Sequence, residues 1–130
     1  MIITVYISGA ITGIPNRNKN GFRDAWRDIS ELKKFRELRD MKIINPLHIG
    51  RRLEKSFTAR GWGEPKWSDY MRVCVKKLMD ADCAYFLEDW TRSEGASVER
   101  YVAKRLNIPC VDNITELKNV LKNILEVKKQ

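Results

Sequence analysis

Short β-branched runs alternate with amphipathic stretches along the whole chain, and few folds accept that order. Ile2–Ser8 reads as a buried strand ending at Gly9. From Lys19 to Leu38 the period becomes helical, with Phe22, Ala25, Trp26, Ile29 and Leu32 on one face. Lys42–Asn45 is a second strand, stopped by Pro46. Gly50–Lys66 is a basic insertion of weaker periodicity, read as a short helix followed by a mobile loop. Trp67–Met79 is helical, with Trp67, Tyr70, Met71, Cys74, Val75 and Leu78 as its apolar face. Cys83–Leu87 and Ile108–Val111 are further strands, separated by a helix that starts near Gly95. Asn113 with Glu116 resembles a capping box opening a last helix through Leu117, Val120, Leu121, Ile124 and Val127. This alternation predicts an α/β domain: a parallel sheet of four or five strands with helices on both faces. The 130 residues suit one domain, 1–130, with a core of ordinary size.

Composition narrows the class. Hydrophobic residues make up 43% and charged residues 32%, which fits a globular chain rather than a disordered one. No apolar run reaches the ~18 residues of a membrane span. The apolar start MIITVYISGA carries no basic n-region and reads as strand, not signal peptide. Cys74, Cys83 and Cys110 are odd in number, lie in apolar stretches and form no CxxC pair, the pattern of reduced core residues in a cytoplasmic protein. With His48 the single histidine and no thiolate cluster, a structural zinc site is not expected, and chemistry that runs on carboxylates needs no metal or redox cofactor. The net charge of +8 favours anionic partners, or simply solubility.

A glutamate breaks the pattern of the helix in TRSEGASVERYVAKRL. Ala96, Glu99, Val102, Ala103 and Leu106 share one stripe, and Glu99 is its one charged member. Burying a carboxylate costs several kcal/mol unless it is paired or used. Parallel α/β sheets place their ligand crevice beyond the carboxyl ends of the strands, where the following helices also start. Tyr6, Gly9, Gly13, Asn45, Asp69, Ser93, Gly95 and Glu99 are thereby expected near one cleft. Gly9 and Gly13 either cradle a phosphate with backbone amides or serve a tight turn. Ser93, beside Gly95, either helps bind an anion at a helix start or caps that helix. Asp69 either favours its helix N-terminus or shares glycosidic chemistry with Glu99. Trp62, Trp67 and Trp90 are stacking surfaces or packing, and Arg51, Arg52, Lys55 and Arg60 a solvated face or a phosphate lure.

The segments YISGAITGIP, INP, WSDYMRVCVKKLMDADCAYFLEDW and SEGASVERYVAKRLNIPCV, in that order, resemble the nucleoside 2-deoxyribosyltransferase-like superfamily. The resemblance is to its small branch of phage and bacterial domains of unknown function. It implies a flavodoxin-like three-layer sandwich that cleaves or exchanges the N-glycosidic bond of a 2′-deoxynucleoside. Glu99 takes the place of the family's nucleophile, Tyr6 that of its tyrosine and Asp69 that of the aspartate that handles the base. Ser93 stands where free-nucleoside transferases carry an aspartate. This is similar to the 5′-monophosphate N-glycosidases and implies a phosphorylated substrate held by Gly9, Gly13 and Ser93. A homo-oligomer is implied as well. The rival expectations are a non-catalytic nucleotide-sensing module with the same cleft, and a basic nucleic-acid-binding protein, which no recognised reading motif supports.

Overall fold

The computed structural model describes residues 2–128. Four strands, β1 (Thr4–Ser8), β2 (Lys42–Ile44), β3 (Cys83–Phe86) and β4 (Cys110–Val111), form one parallel sheet in the order β2-β1-β3-β4. Five α-helices are packed on it: α1 (Lys19–Ser30), α2 (Pro46–Arg60), α3 (Trp67–Met79), α4 (Glu94–Arg105) and α5 (Ile114–Lys128). The result is an α/β domain consistent with the flavodoxin-like three-layer sandwich. The strand order reverses between β1 and β3, so a crevice opens beyond their carboxyl ends.

Two apolar clusters make the layers. Val5 and Ile7 of β1 pack with Phe22 and Ile29 of α1 and with Leu117 and Leu121 of α5. Tyr6, Ala84 and Phe86 face the other way, onto Cys74 and Leu78 of α3 and Ala103 of α4. The two-residue period of a strand sorts alternate side chains to the two layers. The register pairs Tyr6 with Ala84 and Ser8 with Phe86. The same alternation therefore puts Tyr6 and Ser8 on one face of the sheet, toward α3 and α4.

Several expectations shift. The basic insertion is mostly helix: α2 covers Pro46–Arg60, and only residues 61–66 link it to α3. Asn45 caps α2 by accepting from the Leu47 amide at 3.0 Å, Pro46 begins the helix, and Gly61 ends it at φ +70°. Pro46 was a strand stop in the sequence, yet proline is equally suited to a first helical turn. The helix from Lys19 ends at Ser30, and Glu31–Lys34 and Arg36–Leu38 continue as 3-10 turns. Trp26, Trp67 and Leu106, expected on buried faces, are 44%, 46% and 49% exposed. Asn113 does cap α5, accepting from the Glu116 amide at 2.9 Å, while Glu116 accepts from the Asp112 amide. All three cysteines are unpaired. Among the described residues no helix is long and apolar enough to cross a membrane, and no cluster of three His, Cys, Asp or Glu side chains could hold a metal.

Candidate functional site

Glu99 is buried, with 5% of its surface exposed, and its carboxylate is fully engaged. The Tyr6 hydroxyl donates to Oε2, and the Ser8 hydroxyl donates to Oε1 at 2.8 Å. Both donors come from the same face of β1, two residues apart. The α4 stripe that carries Glu99 is otherwise small where it is buried, with Ala96 and Ala103. Such residues let a helix approach closely, and the residue in register with Tyr6 is the small Ala84. A glutamate on α4 thus reaches past β3 to the tip of β1.

The electrostatics follow from that burial. Loss of water pushes the Glu99 carboxyl up to about 7, against the hydrogen bonds from Tyr6 and Ser8 that pull it down. The Tyr6 phenol is raised well above its usual value, by burial first and then by the adjacent Glu99 charge. Cys74, next to them, is pushed up to about 11 by burial and by the Glu99 charge, so its thiol stays protonated at neutral pH.

Glu99 and Tyr6 lie in the wall of a cavity of about 590 Å³ at the β1/β3 switch point. Gly9, Gly13, Ser93 and Gly95 line it too. Gly13 has φ +79°, a left-handed conformation natural to glycine. Gly9 is required by packing: a Cβ there would sit 2.6 Å from the Leu87 Cδ1. Ser93 is the N-cap of α4, accepting from the Ala96 amide at 3.1 Å. The capping and the cavity-lining roles therefore coincide in one residue.

Two expected residues are elsewhere. Asp69 is in the first turn of α3, where its Oδ2 accepts from the Lys66 amide at 2.8 Å. It is absent from the cavity wall, although its neighbours Trp67, Tyr70 and Met71 line it. Asn45 caps α2 and borders a separate hollow. In both cases a short polar side chain at a helix start satisfies its own backbone.

Sequence reasoning did not single out Ser8, which is fully buried beside Glu99 rather than in the cavity wall, although its signal was available: it lies two positions after Tyr6 on a strand. Tyr70, Met71 and Cys74 were read as core, but the N-terminal half of that α3 face opens on the cavity. Arg17 and Arg92 line it as well. Arg17 pairs with Glu54 Oε1 at 2.6 Å, and the same oxygen accepts from the Tyr70 hydroxyl at 3.0 Å. Arg92 is in no salt bridge among the described residues. The loop that carries Gly13 and Arg17 is pinned at both ends. Asp89 accepts from the Ala10 amide at 3.2 Å and from Asn18 Nδ2 at 2.9 Å. Asn16, Arg17 and Asn18 all have positive φ, 54° to 59°. Asparagine tolerates that region, but arginine there costs ~1–2 kcal/mol, so the loop is held against a local preference.

No curated protein and no solved structure matches the chain significantly. A family model does, over residues 3–112, a span that takes in all four strands and every residue of the cavity wall. The chain belongs to the family described as a domain of unknown function, DUF4406.

Proposed function

We propose that this domain cleaves or exchanges the N-glycosidic bond of a 2′-deoxynucleoside, preferably a 5′-monophosphate, as members of the nucleoside 2-deoxyribosyltransferase-like superfamily do. The observation that carries this reading is the buried Glu99 carboxylate, held by the Tyr6 and Ser8 hydroxyls in the cavity wall. A carboxylate fixed in this way is costly to the fold and suited to nucleophilic attack. One Glu99 oxygen attacks C1′, the C1′–N bond breaks, and its electron pair goes to the base, which takes up a proton. The sugar is left as an ester of Glu99. Water, or a second base in an exchange, then attacks C1′ and returns the carboxylate. Retaining glycosidic cleavage follows this two-step course.

With Asp69 committed to its helix start, the leaving base takes its proton from water. Gly9, Gly13, Ser93 and Gly95 are the phosphate-side residues, and the first-turn amides of α4 favour an anion. Arg92 adds positive charge beside Ser93. No metal or redox cofactor enters this chemistry.

Incubation with a panel of deoxynucleosides and their 5′-monophosphates, followed by chromatography for released base, tests the reading. Base release from a monophosphate, lost in Glu99→Ala while the protein stays folded, is the expected result. Full activity in Glu99→Ala excludes Glu99 as the nucleophile. A second reading is a nucleotide-sensing module, favoured by the displacement of Asp69. It predicts monophosphate binding with no base released by any variant.

A further inference from the structure

A second hollow, about 270 Å³, lies between α1 and the start of α2. Lys19, Arg23 and Trp26 contribute from α1, at the i, i+4, i+7 spacing of one helix face. His48 and Arg51 contribute from α2. No acidic side chain lines it. Lys19 and Arg51 are in no salt bridge among the described residues, and Arg23 meets only its neighbour Asp24, at 3.9 Å between exposed groups. Trp26 is left 44% exposed among these cations. An aromatic on the apolar side of an amphipathic helix is ordinarily covered, and here nearly half of it stays open. Three cations around one concavity repel one another, and an anion relieves that repulsion.

We propose that this hollow is a second binding site, for a free nucleoside phosphate, with the base on Trp26 and the phosphate held by Lys19, Arg23 and Arg51. A planar ring suits the exposed indole face. Guanidinium groups suit a phosphate because they bind it in bidentate fashion. The volume is near the lower end of small-ligand pockets, ~300 Å³, and so takes one nucleotide rather than a larger cofactor. A second copy of the chain docked with this patch on itself would bring like charges together. Leu47 lines both this hollow and the Glu99 cavity, so the two sites share a wall. The inference does not depend on the chemistry proposed for that cavity.

Calorimetric titration at low salt with deoxyadenosine monophosphate, deoxyadenosine, inorganic phosphate and a short oligodeoxyadenylate tests it. The wild type is expected to bind the monophosphate at this site, in addition to any binding in the cavity. Arg23→Ala/Arg51→Ala loses that event, with affinity falling at least ~10-fold, the minimum expected from two charge-assisted contacts. Trp26→Ala weakens it and Trp26→Phe restores it, while base release, if present, is unchanged in all three. Glu99→Gln, by contrast, leaves this event intact. Unaltered monophosphate binding in the double variant overturns the proposal. So does inorganic phosphate binding as tightly as the nucleotide, or binding of the oligonucleotide without the monophosphate. A change of oligomeric state in Trp26→Ala, seen by light scattering, overturns it in favour of a subunit contact.

Discussion

Replacing Glu99 by glutamine changes one charge and almost no volume, which makes it the cleanest probe of the buried carboxylate. In the fold Glu99 titrates at about 7, whereas an exposed glutamate titrates near ~4.3. Between these values the folded chain holds a proton that the unfolded chain has released. Stability from this group is therefore fully present below ~4.3 and is lost as pH rises through about 7. At ~1.4 kcal/mol per pH unit, the ionised carboxylate costs the fold about 4 kcal/mol at alkaline pH. Glutamine removes that cost. Its NH2 group, however, takes the place of an oxygen that accepts a hydrogen bond, at ~1 kcal/mol. The net expectation is a variant more stable than wild type by ~3 kcal/mol near pH 8 and of about equal stability near pH 5. Urea unfolding at the two pH values measures both differences. Parallel pH dependence in the two proteins would falsify the assignment of a raised carboxyl to Glu99. A variant destabilised at both pH values would show that the Tyr6 and Ser8 bonds outweigh the desolvation of the charge. Base release is expected to vanish in the variant, so stability and activity move in opposite directions.

Base release by the wild type is expected to rise with pH through about 7, because a nucleophilic carboxylate must be ionised; a flat initial-rate profile across neutral pH contradicts that. Ser8→Ala removes one of the two hydrogen bonds that lower the Glu99 pKa, so the same profile moves to higher pH, and an unmoved profile excludes Ser8 as a positioning residue. Asp89→Ala unpins the Ala10–Asn18 loop and costs ~1–3 kcal/mol in thermal or urea unfolding, together with faster amide exchange in residues 10–18. Arg100 binds Asp112 with two bonds, at 2.7 and 3.1 Å, while stacking over Phe86 and Trp90, so Arg100→Ala is expected to lower stability by ~1–3 kcal/mol and leave base release intact.

By itself the sequence determined the layers and their order. Hydrophobic period separates strand from helix locally, and the β-α alternation leaves a parallel sheet as the simplest way to cover every apolar face. Glu99 was legible for a related reason: a charge inside an apolar stripe conflicts with the stripe's burial, and such a conflict is visible without coordinates. Strand position placed Tyr6 at the same cleft, and the structure decided that its hydroxyl meets Glu99 rather than water. What the tertiary structure decided was the destination of polar side chains at helix starts. Asp69 and Asn45 each had a choice between the cleft and a nearby backbone amide, and sequence spacing is the same for either outcome. Competition between local hydrogen bonds and a ligand site depends on ångström-scale direction. The exposure of Trp26 was hidden likewise, since a helical stripe does not say how far its neighbours extend over it. Arg92 belongs to the same class: its role arises from the sheet bringing the start of α4 against the cavity, and not from any spacing within one segment.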